Sequence, residues 1–292
     1  MTTTTTAYLA VSQNLARYQA MTAAEPAVKS ATAYYEANIG SVTSIKDLVG
    51  NYRLLSYALN AYGLGDQIDS TALITKVLEG GVSNPNSLAN TLSNPAWKAF
   101  ATAFNFGGAG ASSVTSATAV KTTTSDYVEQ ELESGQGAQN AGVGLALYFQ
   151  RVAPTVTSEY GILADPNLLE VAQTIFGLSP ATSAENIDTQ AQNLSHLMPI
   201  SDLQNPTKLQ QLTTRFTAMY DLTYGPASGA TTSLTATSDG VTTQSAATSI
   251  LSNVISSNGA AISASLGAFT GATTPLFSDS LMSSLQRFSL GG

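Results

Sequence analysis

The chain has 292 residues, of which 43% are hydrophobic, so it is long enough for one large domain or two ordinary ones. Only 10% of its residues are Asp, Glu, Lys or Arg, and the formal net charge is -8. This balance argues against nucleic-acid binding, which needs clustered Lys and Arg, and it disfavours an anionic membrane surface. The absence of Cys excludes disulfides, thiolate nucleophiles and Cys-based metal sites.

Residues 1–33 are predicted to form an N-terminal helical segment of one long helix or two. Its apolar positions are Tyr8, Leu9, Leu15, Tyr18, Met21 and Val28. Pro26 predicts a kink or a helix start. The segment lacks the basic and apolar regions of a secretory signal, and no run of 18 apolar residues follows. We therefore expect a protein that is soluble, or one that is exported without such a signal.

Residues 34–106 are predicted to form a first helical module. Its stretch NYRLLSYALNAYGLGD carries one apolar stripe and ends at Gly63, which suits a left-handed C-terminal cap. A second helix is predicted to start at Asp69, a candidate N-cap, and to stop at Gly80 and Gly81. Two Asn-Pro pairs, in NPNSLANTL and NPAWKAFATAFNF, indicate two more short helices.

Residues 107–125 are rich in Gly, Ser and Thr and are predicted to be a loop or flexible linker. Residues 126–222 are predicted to form a second module with a leading helix, for which Asp126 is the predicted N-cap. Setting Gly63 against Gly177 gives an offset of 114 residues (177 − 63) at which the apolar positions of the two modules correspond. We interpret this pattern as an internal duplication of two similar modules, packed about a pseudo-twofold axis or in tandem.

Residues 223–242 form a second predicted Ser/Thr/Gly-rich linker, and residues 243–292 a C-terminal helical segment. Leu281, Met282, Leu285 and Phe288 of this segment fall on one helical face. No stretch rich in β-branched residues alternates apolar and polar positions cleanly over a useful length, so the predicted fold class is all-α with additional N- and C-terminal helices. The apolar faces of the two end segments must be buried, either on the modules or against other subunits.

The sequence contains no set of residues that indicates catalysis, cofactor binding or a metal site, and we expect no enzyme. The one histidine, His196, has no neighbouring Cys, His or nucleophile-elbow glycines. Glu129, Glu131 and Glu133 alternate and are expected on a solvated helix face, and the Gly-rich GGAGASSVT lacks the Lys of a phosphate loop. Three arginines are interpreted as ion-pair partners within the modules: Arg53, Arg151 and Arg215.

Aromatic residues are the remaining candidates for a binding surface. They recur at helical spacing in the first module, as Tyr34, Tyr35, Tyr52, Tyr57, Tyr62, Trp97, Phe100, Phe104 and Phe106. Core packing is the default interpretation. The alternative is an exposed Tyr-rich face for a partner subunit.

Several long stretches resemble the signature region of an alphaproteobacterial family of uncharacterised proteins associated with flagellar genes. They are YYEANIGSVTSIKDLVGNYRLLSYALNAYGLGD, KVLEGGVSNPNSLANTLSNPAWKAFATAFNF, YVEQELESGQGAQNAGVGLALYFQRVAP, YGILADPNLLEVAQTIFGL and RFTAMYDL. The resemblance covers about residues 30 to 222 in the family's order. This chain departs from the family by having fewer charges and more Ser, Thr and Ala at both ends. The family offers no catalytic residues to transfer.

The resemblance implies a non-enzymatic structural or assembly protein of the flagellum. Flagellar axial proteins are exported by the flagellum's own type III apparatus without a cleaved signal, tend to lack Cys, and pair helical N- and C-terminal segments. The implied partners are axial rod or hook subunits, with self-association as a further possibility, in the basal body and hook region. A cytoplasmic export chaperone or regulator is the alternative function, and an enzyme based on His196 is the third.

Overall fold

The computed structural model describes residues 2–225, apart from the side chain of Ala109. This part of the chain is built from helices and contains no strand, which confirms the all-α prediction. The predicted linker from residue 226 onward and the predicted C-terminal segment 243–292 lie outside the described residues. None of the described helices has the length and hydropathy needed to cross a membrane.

The first 39 residues form three helices instead of the one or two predicted. They are α1 (Thr4–Ser12), α2 (Leu15–Ala24) and α3 (Pro26–Ile39). Pro26 occupies the first turn of α3. Its ring removes the backbone N–H that would continue α2, so α2 ends before it and α3 begins there.

The first module contains five further α-helices. They are α4 (Ile45–Gly50), α5 (Tyr52–Ala61), α6 (Thr71–Gly80), α7 (Leu88–Thr91) and α8 (Pro95–Ala103). The predicted Asn-Pro start at Asn94 and Pro95 is confirmed, whereas the one predicted at Asn84 and Pro85 is wrong, because that helix begins at Leu88 after Ser87. The side chains of Ser44, Asn51 and Asn94 accept backbone N–H groups at the starts of α4, α5 and α8. The N-cap position of α6 is Ser70 and not the predicted Asp69. Gly81 has a φ of 53° and ends α6 as predicted.

The predicted flexible linker 107–125 is wrong, because the segment is largely helical. It contains most of α9 (Phe106–Ala109), α10 (Ser112–Thr115) and the start of α11 (Ala117–Gln139). Phe106 packs against the first core, and Val114 is buried in it. This burial stabilises a segment whose local helix propensity is weak. Asp126 consequently lies inside α11, and the Ser116 side chain caps this helix instead.

The second half of the described chain contains α12 (Ala141–Val152), α13 (Glu159–Leu163), α14 (Pro166–Phe176), α15 (Ile187–Leu197), α16 (Ile200–Leu203) and α17 (Pro206–Tyr224). Displacing α3, α4 and α5 by 114 residues gives 140–153, 159–164 and 166–175, which agree with α12, α13 and α14 within one residue at each end. A 3-10 turn follows α5 at Gly65–Gln67, and another follows α14 at Pro180–Ala184. The duplication itself remains a prediction.

Two clusters of buried apolar side chains form the cores. The first gathers residues from Val28 to Tyr127, and the second joins residues 143–216 to two residues of α1, Tyr8 and Val11. Tyr35, Trp97, Phe100 and Phe104 are buried as predicted, whereas Tyr52 is 66% exposed. Because Tyr8 and Val11 are buried, α1 is part of the second core. The apolar face of α1 is therefore not free for another subunit, whereas Met21 of α2 is 55% exposed.

Candidate interaction sites

A groove of about 270 Å³ lies between α13, α14 and α15. Its apolar lining comes from five leucines, Leu163, Leu169, Leu178, Leu194 and Leu197. Polar side chains border it, among them Gln173, Glu185, Gln190 and Asn193. A concave apolar surface with a few polar groups is typical of a binding site.

Large apolar side chains remain exposed beside this groove. Tyr160 is 41%, Ile187 54% and Leu197 41% exposed. The Tyr160 hydroxyl donates a hydrogen bond of 2.8 Å to Asp188, which fixes the ring of α13 against α15. Residues 152–207, which supply the groove, contain no Lys or Arg and carry six acidic residues, of which Glu185 lines the groove.

His196 lies on the last turn of α15, where it is exposed and lines the groove. Within the part of the chain that the structure describes, no group of three or more His, Asp or Glu side chains could hold a metal ion. The position of His196 therefore makes it a groove residue.

A second concave site, of about 160 Å³, lies between α3, α5 and α11. Its lining includes Tyr34, Tyr52, Arg53 and Tyr127. The Arg53 guanidinium lies 3.7 Å from the centroid of the Tyr34 ring, a cation–π contact that holds the exposed Arg53 in place. Tyrosine and arginine are enriched at protein–protein interfaces. Tyr52 is the exposed tyrosine of this cleft, whereas Tyr57 and Tyr127 are buried, so the alternative of an exposed Tyr-rich face for a partner subunit stays a prediction.

The polar residues of α11 meet α12 at a buried ion pair. Arg151 donates to both carboxylate oxygens of Glu133, at 2.6 and 2.7 Å, and also to Gln130. Glu133 is only 5% exposed, so the prediction that it lies on a solvated face is wrong. Burial raises the pKa of the Glu133 carboxyl, and the bonds from Arg151 act in the opposite direction.

The prediction of arginine ion pairs is confirmed for Arg151. Arg53 and Arg215 make ring contacts instead, with Tyr34 and Phe176 respectively, and within residues 2–225 the structure forms no ion pair at either of them.

The start of α1 is fixed to the end of α17. Asp221 accepts hydrogen bonds from the backbone N–H groups of Thr4, at 2.8 Å, and Thr5, at 3.4 Å. The Thr5 hydroxyl donates to Thr217, and the Thr4 hydroxyl donates to Asn140 at the start of α12. A carboxylate at a helix N-terminus also interacts favourably with the helix dipole. The contact therefore brings residue 4 and residue 221 together.

Comparisons with known proteins agree with this helical fold. Residues 61–209 match a family model described as a protein of unknown function (DUF1217). The chain is also similar to the crystal structure of protein AGR_C_984 from Agrobacterium tumefaciens, a structural-genomics target. The identity is 38% and the TM-score 0.69, over 75% of this chain and 93% of that chain. No curated protein matches this chain.

Agrobacterium is an alphaproteobacterium, which agrees with the predicted origin of the family. With its family model covering residues 61–209, the chain belongs to the DUF1217 family of proteins of unknown function.

Proposed function

We propose that this protein is a non-enzymatic structural or assembly component of the bacterial flagellum. In this proposal it is exported without a cleaved signal and binds axial rod or hook subunits through helical surfaces. The resemblance of residues 30 to 222 to a family associated with flagellar genes supplies the flagellar part. The absence of Cys and the low charge content are shared with exported axial proteins.

The contact between Thr4 and Asp221 is the observation that carries this proposal. Axial proteins as a group pair helical segments from the two ends of their chains. Here α1 begins against the last turns of α17, the last helix of the described residues. This arrangement supports an assembly role in which both regions of the chain act together.

Exposed apolar side chains on helices supply surfaces for subunit contacts. Tyr52 is 66%, Leu222 64% and Tyr224 54% exposed. The Tyr220 and Tyr224 rings lie 4.8 Å apart near the end of α17. Aromatic and apolar side chains of this kind are the groups that contribute most of the energy of protein interfaces.

Localisation tests the proposal. A tagged full-length chain is expected in purified hook-basal bodies or in the culture supernatant of a motile strain, and deletion of its gene is expected to impair motility. A His196→Ala variant should restore motility fully, since no catalytic role is assigned to that residue. A protein found only in the cytoplasm, or a motile deletion strain, would contradict the proposal.

The second candidate function is a cytoplasmic flagellar export chaperone or regulator. The groove between α13, α14 and α15 favours it, because chaperones of this type hold substrate helices in apolar grooves. This function predicts a protein that stays in the cytoplasm and co-purifies there with an export substrate. The same fractionation therefore separates the two functions.

A further inference from the structure

The third long helix of each half has different surroundings in the two halves. α6 follows the 3-10 turn Gly65–Gln67, and α15 follows the 3-10 turn Pro180–Ala184. α6 packs against α7, α8 and α9, and its residues Ile74, Val77 and Leu78 are each 0% exposed. The first half therefore closes over this helix with its own chain.

In the second half the corresponding helix is left partly uncovered. Within residues 2–225, α15 packs chiefly on α13 and on the adjacent 3-10 turn. Leu194 is buried, but Ile187 and Leu197 remain 54% and 41% exposed at the two ends of the helix. The leucine-lined groove lies along this uncovered side. Binding of a partner that removes this apolar surface from water is favourable.

The charges around the groove restrict what can cover it. Glu185, just before α15, lines the groove, and Asp188 in the first turn of α15 is exposed but does not line it. No Lys or Arg is among the residues that line the groove, although His196 is, and none occurs in the sequence between Arg151 and Lys208. An anionic partner would be repelled, whereas a cationic partner would gain from charge complementarity.

We propose that the groove between α13, α14 and α15 binds an amphipathic, cationic helix of a partner protein. Leucine-type side chains at positions i, i+3, i+4 and i+7 of that helix would enter the groove, and its flanking Lys or Arg would face Glu185. The inference names the partner chemistry for the binding through helical surfaces proposed above. The inference depends on the part of that proposal that gives the protein a protein partner. It does not depend on the part that places the protein in the flagellum.

Binding of designed peptides to the full-length chain tests the inference. The probe is a fluorescein-labelled helical peptide of about 18 residues with Leu at those four spacings and Lys on its flanks, a length sufficient for helix formation. A second peptide carries Glu in place of every Lys, and a third has the first sequence scrambled. Fluorescence anisotropy is expected to show saturable binding of the Lys peptide and binding at least about tenfold weaker for the other two.

Matched variants locate the binding site. Leu197→Ser should weaken binding by about tenfold, as expected for an anchor at the edge of the contact, while Leu88→Ser, which changes a leucine of α7 that is 36% exposed, should not. Glu185→Lys should weaken binding of the Lys peptide and strengthen that of the Glu peptide, whereas Glu79→Lys on α6 should change neither. Circular dichroism confirms that each variant remains folded.

The absence of saturable binding of the Lys peptide would overturn the inference. The inference would also be overturned if the groove variants and their controls lost affinity for the Lys peptide equally. The same holds if neither Leu197→Ser nor Glu185→Lys weakened binding of that peptide. The peptide assay is independent of motility. Binding in the groove by a protein that is absent from flagella would refute the proposed function alone, and a flagellar protein without peptide binding would refute the groove alone.

Discussion

The Tyr148 hydroxyl donates a hydrogen bond of 2.5 Å to Asp165, whose other carboxylate oxygen accepts two backbone N–H groups at the start of α14. The same relationship occurs 114 residues earlier, where the Tyr34 hydroxyl lies 3.2 Å from the Asn51 side-chain nitrogen and Asn51 caps α5. In each case one side chain caps a helix and also ties it to a tyrosine 17 residues before it. These contacts hold α12 to α14 and α3 to α5.

Replacing Asp165 should therefore cost more than replacing Asn51. Asp165→Ala removes a helix cap, worth about 1 kcal/mol, and leaves the hydroxyl of the buried Tyr148 without its partner, at a further cost of about 1 to 3 kcal/mol. Asn51→Ala should lower the free energy of unfolding by only about 1 kcal/mol, since Tyr34 is partly exposed and keeps access to water. Urea denaturation of the two variants measures the difference, and equal losses would contradict this account.

Local signals explain which parts of the fold could be predicted. The cap at Asp165, the helix stops at Gly63 and Gly177 and the apolar stripes all depend on neighbouring residues, so sequence patterns reveal them. The helices between residues 106 and 125 could not be predicted in this way. They depend on the packing of side chains such as Val114 against a core formed by distant residues.

The sites were harder to predict, because they depend on tertiary contacts. Glu133 meets Arg151 across two helices, and nothing in the alternating glutamates of α11 indicates that pairing. The groove depends on where α15 packs relative to α13. The lack of Lys and Arg in residues 152–207 is the one sequence feature that could have indicated the groove.

Gly63 and Gly177 should resist substitution because of their backbone conformation. Their φ angles are 71° and 63°, in the left-handed region that β-branched residues rarely adopt. A Cβ at Gly177 would meet no atom within 4 Å, so any loss there reports backbone strain and not a clash. Gly177→Val and Gly63→Val should each lower the free energy of unfolding by about 1 to 2 kcal/mol.

Gly40→Ala is the control, since Gly40 has a φ of −61° and open space around its Cβ position. The free energy of unfolding of this variant should be nearly unchanged. A Gly177→Val variant with wild-type thermal stability would refute the capping role.

The crossing of α11 and α12 should tolerate no side chain at Gly144. A Cβ there would lie 2.7 Å from the Gly137 Cα and 2.8 Å from the Glu133 carbonyl oxygen, both of them backbone atoms that cannot rotate away. Gly144→Ala should therefore force the helices apart and destabilise by about 1 to 3 kcal/mol. Gly135→Ala is the matched control on α11, because nothing lies within 4 Å of its Cβ position. That variant should be as stable as the wild type or about 0.5 to 1 kcal/mol more stable, since Ala favours a helix interior over Gly. Similar thermal stability for the two variants would contradict the close contact.

Asp126 should give the stability a measurable dependence on pH. Burial raises its pKa above the ordinary value of 3.8, and the charge of Arg151 offsets this only in part. The folded state therefore binds this proton more tightly than the unfolded state. The resulting stabilisation is present below the unfolded pKa and is lost as the pH rises through the folded pKa.

Asp126→Asn removes that ionisation, so the variant should melt at a higher temperature than the wild type at neutral pH. The advantage should shrink as the pH falls through the raised pKa of the folded state and should be largely gone below 3.8. Asp47→Asn should instead lower the melting temperature, because the Thr43 hydroxyl lowers the pKa of Asp47 and so stabilises its ionised form in the folded state. This destabilisation should be largest at neutral pH. Melting temperatures measured from below pH 3.8 to neutral pH test both predictions. A constant difference in melting temperature between the wild type and Asp126→Asn across this range would contradict the prediction for Asp126.

The two end regions of the chain should differ in what their removal does. Deleting residues 1–13 removes Tyr8 and Val11, which are 1% and 2% exposed in the second core, and also the contact of Thr4 with Asp221. Loss of buried apolar side chains costs several kcal/mol, so this truncated protein should be strongly destabilised or unfolded.

A chain ending at residue 225 keeps every described helix and the contacts among these helices, and its circular dichroism and thermal melting should remain those of a folded helical protein. If residues 226–292 serve assembly, as the proposed function requires, this second protein should stay folded and yet fail to restore motility to a deletion strain. Full motility would show that the segment is dispensable, and unfolding would show that the described helices depend on it; either result would contradict the assembly role proposed for these residues.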